Sequence, residues 1–270
     1  MRRSESTLSL PTVFISHGSP MHALEAGATA TGRAWAALGA RLPRPRAILI
    51  ASAHWETERP ALTGSERPET IHDFGGFPAP LYEIRYGAPG APEVAARARD
   101  LLRAAGLEAG IDPVRGLDHG AWTPLLYAFA RADVPVLQVS VQPALGPRHH
   151  LALGRALAPL ADEGVLVMGS GHLTHNLREL RSVREIGVGP AAPYVSEFQD
   201  WVRECIEAHD HDRLADYRRL SPAGMRAHPS EEHFLPLFVA LGAAPAGYRS
   251  ERFIDHVEGG VLAMDAYLFA

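Results

Sequence analysis

Four short runs of this chain are apolar at nearly every position, and they constrain its fold more than any other feature. They are residues 11–16 (Pro-Thr-Val-Phe-Ile-Ser), 47–53 (Ala-Ile-Leu-Ile-Ala-Ser-Ala), 134–141 (Val-Pro-Val-Leu-Gln-Val-Ser-Val) and 165–168 (Val-Leu-Val-Met). A strand with one solvated face alternates apolar and polar side chains, whereas a continuous run belongs to a strand covered on both faces. Helical spacing fills the intervals. Residues 92–105 place Val94, Ala98, Leu101, Leu102 and Ala105 three and four apart, with Gly106 as a C-terminal stop. Residues 122–130, with Pro124 in the first turn, and residues 149–160 and 192–209 read as further helices. Ser230 is expected to cap a last helix reaching about residue 241, with Glu231 and Glu232 at its positive end. Strands alternating with helices predict an α/β fold: a single three-layer domain with a largely parallel or mixed central sheet flanked by helices. No repeat or linker divides the chain, so residues 11–270 are expected to form one domain behind a flexible N-terminus, residues 1–10.

Composition narrows the class of partner. The net charge of -5 and the lack of a basic run argue against nucleic acid and anionic membrane. No apolar stretch approaches the roughly 20 residues of a membrane helix. Met1-Arg2-Arg3-Ser4-Glu5-Ser6-Thr7 lacks the apolar core of a signal peptide, and Cys205 is the single cysteine, so no internal disulfide forms. Both features predict a cytoplasmic protein. Nothing in the sequence fixes the oligomeric state, and a homodimer stays open.

Fourteen histidines against 26 Lys and Arg is a high share for an enzyme. Their positions matter more than their number. His17 and His54 each follow an apolar run directly, and His172 and His175 follow residues 165–168 through Gly169-Ser170-Gly171. In an open α/β sheet, ligands bind outside the carboxyl ends of the strands. One histidine at a strand end is ordinarily a structural hydrogen-bonder; three strand ends carrying histidine point to a shared site. Imidazoles on rigid elements suit zinc and non-haem iron equally. His233 adds a distant donor at a position, three after Ser230, where a capping box prefers Glu or Gln. Asp118-His119-Gly120 reads either as a turn with a solvated carboxylate or as part of the site. His72, His149, His150, His209, His211 and His256 sit in polar or helical surroundings and are expected at the surface. The rings of His22 and His228 are not placed by the sequence. The Gly- and Pro-dense residues 60–92 form a long excursion of the kind that carries function.

Six segments, taken in order, resemble the class III extradiol ring-cleavage dioxygenases, specifically the 4,5-DOPA dioxygenase branch. They are His17-Gly18-Ser19-Pro20; Ser52-Ala53-His54-Trp55; residues 70–78 (Thr-Ile-His-Asp-Phe-Gly-Gly-Phe-Pro); Asp118-His119-Gly120-Ala121-Trp122; residues 169–177 (Gly-Ser-Gly-His-Leu-Thr-His-Asn-Leu); and residues 229–237 (Pro-Ser-Glu-Glu-His-Phe-Leu-Pro-Leu). The resemblance runs from about residue 11 to the C-terminus. It implies one divalent metal ion held by His17, His54 and His233, Fe(II) for activity, with Zn(II) a plausible occupant of purified protein. It implies that His175 acts as acid–base, with a fourth-ligand role as its alternative, and that His119 lines the pocket beside the substrate. Asp73 and Phe77 would shape the pocket mouth. The substrates implied are a small aromatic catechol and O2, joined by extradiol ring opening.

Two departures stand out. Better-known ring-cleaving relatives use two histidines and a glutamate, where this branch has His233. His172 stands where a non-ligating polar residue, often Asn, is expected, and it has no assigned role. Two rival readings use the same scaffold: a zinc-dependent hydrolase with His175 or Glu56 as base, and a catalytically silent binder of metal or phenol. Serine hydrolysis is disfavoured, because Gly169-Ser170-Gly171 lacks the spacing of a nucleophile elbow.

Overall fold

Side chains of the central strands alternate strictly between two apolar clusters. Ile48 and Ile50 join one cluster with Val13, Ile15, Leu166 and Met168, while Ala47, Leu49 and Ala51 join another with Val165, Val167 and Val139. This period of two turns a continuous apolar run into a strand buried on both faces. The computed structural model describes residues 9–25, 27–180 and 187–270. The flexible segment expected at the N-terminus falls outside the described residues up to position 8.

The strands are β1 (Thr12–Ser16), β2 (Ala47–Glu56), β3 (Ala61–Thr63), β4 (Gly110–Asp112), β5 (Val136–Val141), β6 (Val165–Gly171), β7 (Ser250–Ile254), β8 (Val257–Glu258), β9 (Leu262–Ala263) and β10 (Ala266–Phe269). The helices are α1 (Ala30–Arg41), α2 (Pro92–Ala104), α3 (His119–Ala128), α4 (Gly146–Leu157), α5 (Pro159–Asp162), α6 (Pro193–Glu207), α7 (His211–Ala215), α8 (Tyr217–Leu220), α9 (Gly224–Ala227) and α10 (Leu235–Ala243). One eight-stranded sheet has the order β4-β3-β5-β2-β6-β1-β10-β7. Its centre, β5-β2-β6-β1, is parallel. Antiparallel pairing of β3 with β5, and of β10 with both β1 and β7, makes the whole sheet mixed. The single α/β domain is therefore the one the apolar runs foretell.

Helices α1 and α3 pack together on one face, and α10 lies between α4 and strands β1, β6 and β2 on the other. Every residue of α10 is buried, as an all-round apolar helix must be. Because β1, β2 and β6 run parallel, their carboxyl ends come to one edge, and that edge carries the histidines.

Several local expectations are corrected. Helix α3 begins at His119, three residues before the expected start, because Asp118 accepts from the Ala121 amide and caps it. Asp118 is wholly buried, not a solvated turn residue. Ser230 does not cap α10, which begins at Leu235 after Phe234; residues 231–234 form a turn. The stretch expected as one helix over 149–160 is α4 followed by α5, divided at Ala158. His150 is fully buried, with Nε2 accepting from the Gln142 amide and Nδ1 close to Gly146 O. Burial lowers its pKa to about 4.

Candidate metal centre

The turn after β1, the end of β2 and the turn before α10 bring three imidazoles together, ring centroids 4.9–5.5 Å apart. His17 Nε2 lies 3.0 Å from His54 Nε2, and His54 Nε2 lies 3.3 Å from His233 Nε2. Nitrogen donors about 2.0–2.1 Å from one ion sit roughly 2.9–3.4 Å apart at octahedral or tetrahedral angles. The two separations fall in that interval. Their donor chemistry fits as well, because the tautomers are set from behind.

Ser170 Oγ donates its only proton to Gly120 O, so it can only accept from His17 Nδ1, 3.1 Å away. His233 Nδ1 donates to Glu232 Oε1 at 2.9 Å. His54 Nδ1 lies 3.3 Å from Asp73 Oδ2. Each ring thus carries its proton on Nδ1, and the bare Nε2 atoms of His17 and His233 both approach the bare Nε2 of His54. Carboxylates behind metal-bound imidazoles fix tautomer and orientation in this way. Burial, then the neighbouring imidazoles, hold His17 and His233 well below the usual histidine range; burial and His119 do the same for His54. Neutral rings with facing lone pairs are a donor set suited to a divalent cation.

Two further histidines flank this set. His119 donates from Nδ1 to Asp73 Oδ1 at 3.0 Å, and its backbone amide donates to the same oxygen at 2.9 Å. Asp73 therefore spans two rings. Burial pushes its carboxyl up, but the bonds from His119 and the charges of His119 and His54 together outweigh this and bring it to about 2. His175 stacks on His233, ring centroids 3.4 Å apart and planes within 14°. Burial, then the proximity of His119, lowers His175 to about 4.

Donor atoms form two groups within 4.8 Å of one another: His17, His54 and His119, and His175, Glu232 and His233. The short contacts through His54 Nε2 join them. Glu232, read from sequence as a helix charge, is in fact the carboxylate behind His233. Its signal was present: a Glu next to a candidate ligand. Glu56, exposed at the end of β2, is pushed up by partial desolvation and then by Glu232.

His172 accepts the Gly18 amide on Nε2 at 3.0 Å, so its lone pair is spent on the turn that carries His17. His22 Nε2 meets Glu258 Oε2 at 3.0 Å, and His228 Nε2 donates to Leu173 O at 2.7 Å; both rings are buried and structural. Beneath α3, Asp118 accepts from Ser52 Oγ and Gln138 Nε2, each at 2.6 Å, fixing where His119 emerges. Sequence reading missed Ser52, Gln138 and Ser170, whose roles depend on cross-sheet contacts.

The imidazoles open into a cavity of about 370 Å³, lined by six histidines together with Asp73, Phe74, Phe77 and Leu262 among others. Its size suits a small organic ligand. Phe74 packs edge-on against Phe77 and His119, ring centroids 5.4 and 5.5 Å away. The loop carrying Asp73, Phe74 and Phe77 thus supplies both a ring-orienting carboxylate and an apolar wall.

Close backbone packing holds His233 in place. A Cβ on Gly171 would stand 2.1 Å from His233 O, and one on Gly169 2.0 Å from Pro236 O. We expect Gly171→Ala to cost about 1–3 kcal/mol of stability by overpacking and to weaken metal binding through displaced His233. Denaturant midpoints and chelator competition check both effects. Gly110, where an added Cβ meets nothing within 4 Å, serves as control.

Parallel strand ends that deliver convergent imidazoles to a cavity define a metal-dependent α/β enzyme. Residues 11–259 match the family described as the catalytic LigB subunit of aromatic ring-opening dioxygenase, and the chain belongs to that family. The chain is 41% identical to a 4,5-DOPA dioxygenase extradiol of Beta vulgaris over 261 residues, 96% of each chain. It is 37% identical to one of Escherichia coli strain K12 over 266 residues, 96% of this chain and 94% of that one. The crystal structure of an uncharacterized Escherichia coli K12 protein matches with a TM-score of 0.79 at 30% identity, covering 97% of this chain and all of the other. This protein is a metal-dependent extradiol dioxygenase of aromatic rings. No helix among the described residues is long and apolar enough to cross a membrane.

Proposed function

We propose that His17, His54 and His233 hold one Fe(II) ion and that the substrate is a catechol of the kind for which the relatives are named, 4,5-DOPA. The observation that carries this reading is the convergence of three bare Nε2 atoms, at 3.0 and 3.3 Å, on the wall of a cavity of about 370 Å³. When bound, Fe(II) supplies a redox-active Lewis acid with open positions for substrate and dioxygen.

The chain's own residues supply positioning and proton transfer. His175 is neutral near pH 7, since burial and His119 lower it to about 4, and neither of its ring nitrogens is bonded to another described residue. It accepts a catechol hydroxyl proton and returns it during ring opening. His119, with its proton held on Nδ1 by Asp73, offers Nε2 as acceptor to the second hydroxyl. Phe74, Phe77 and Leu262 pack against the ring and keep water away. The buried, free Cys205 thiol accords with a reducing compartment such as the cytoplasm.

Anaerobic loading tests the reading. Protein loaded with Fe(II) is expected to consume one O2 per catechol and to form a yellow ring-opened product. Zn(II)-loaded protein should consume none, because zinc has no redox step. Hydrolytic turnover with zinc, or silence with iron over a catechol panel, would overturn it in favour of a hydrolase or a binding protein.

A further inference from the structure

Among the described residues, no Arg or Lys lines the catalytic cavity. Its histidines are neutral or committed as described, and its one carboxylate, Asp73, is engaged by two imidazoles. A substrate bearing a carboxylate on its side arm finds no cationic side chain to pair with there once its diol faces the metal. Beside this cavity lies a second depression of about 230 Å³, and His175 and Leu177 are walls of both. Its remaining walls are Asn176, Arg178, Pro229 and Ser230.

Among the described residues lining either chamber, Arg178 is the only Arg or Lys, and its guanidinium has no hydrogen-bond or ion-pair partner among the described residues. The nearest carboxylate in sequence, Glu179, is held by Arg226 through two bonds of 2.8 and 2.9 Å. The wall itself is anchored. Asn176 Nδ2 donates to Glu179 Oε1 at 3.1 Å and to Arg226 O at 2.9 Å, and the Glu179 amide donates back to Asn176 O at 3.1 Å. An unpaired guanidinium thus stands on a fixed turn, one wall away from the acid–base imidazole. Guanidinium is also the side chain whose planar fork best matches a carboxylate.

We propose that Arg178 is a specificity-determining residue that pairs with a carboxylate on the side arm of the catechol, so that the enzyme prefers anionic, carboxylate-bearing catechols. The ring lies in the catalytic cavity and the arm passes His175 and Leu177 into the adjoining chamber. This proposal rests on the ring-opening reading above and narrows its substrate class.

The test uses Fe(II)-loaded enzyme and three probes differing in side-arm charge: 3,4-dihydroxyphenylpropionate, 4-methylcatechol and dopamine. Wild type should favour the propionate. Arg178→Gln should raise KM for the propionate by about 10–100-fold, as expected for losing a charged hydrogen bond, with kcat and the 4-methylcatechol constants unchanged. Arg178→Lys should restore part of the loss, and Arg178→Glu should reverse the order in favour of dopamine. Parallel changes with all three probes, or none with any, would overturn the proposal. Should wild type turn over no probe, the ring-opening reading itself fails. Calorimetric binding of the propionate to wild type and Arg178→Gln then still decides whether Arg178 reads the carboxylate: equal affinities refute it.

Discussion

Replacing His175 with alanine is expected to lower kcat by about 10²–10⁴-fold, the span of a lost general acid–base, while iron content stays near that of wild type. The ring sits 3.4 Å above His233 in a parallel stack, close enough to serve a substrate bound at the metal. Its nitrogens are not among the Nε2 atoms that approach one another at 3.0 and 3.3 Å. His233→Ala, by contrast, removes one of those donors and should empty the site. Iron analysis of both variants, beside oxygen uptake at saturating catechol, separates the two roles. Equal metal loss in the two proteins would make His175 a fourth ligand.

Asp73→Asn is the second large effect. One carboxylate accepts from His119 Nδ1 and from the His119 amide, and lies 3.3 Å from His54 Nδ1. An amide of the same shape keeps one acceptor oxygen and presents an NH2 group where the other stood. One imidazole must then give up its Nδ1 proton, and its Nε2 no longer faces the site as a lone pair. Loss of a carboxylate behind a metal-bound imidazole typically costs about 10–100-fold in metal affinity or activity. We expect a loss of that size in iron affinity by chelator competition, with the thermal midpoint little changed. Unaltered affinity would mean that Asp73 serves only the pocket mouth.

What the sequence disclosed follows from periodicity and from what periodicity omits. Strands β1, β2, β5 and β6 were legible because burial on both faces demands an apolar residue at nearly every position. Strands β7 and β10 were not. Ser250–Ile254 mixes half-exposed and exposed positions at the sheet edge, and its pairing is defined by β10 rather than by local pattern. The start of α3 lies before its apolar pattern, which begins at Trp122, because the Asp118 side chain caps the helix one turn earlier. That His17 and His54 approach each other was foreshadowed by their strand ends, and the approach of His233 by the ordered motifs. Their tautomers were not, since Ser170, Asp73 and Glu232 act through bonds that only the folded sheet creates. The spare guanidinium of Arg178 was invisible for the same reason: its lack of a partner among the described residues is a property of the fold.

The central claim is that the rings at 17, 54 and 233 share one ion. Anomalous diffraction at the iron edge, on crystals of anaerobically Fe(II)-loaded protein, tests it directly. The expected result is a single peak about 2.0–2.2 Å from all three Nε2 atoms, with His175 facing the vacant positions. A peak among His175, Glu232 and the outer edge of His233, with His17 and His54 unliganded, would contradict it.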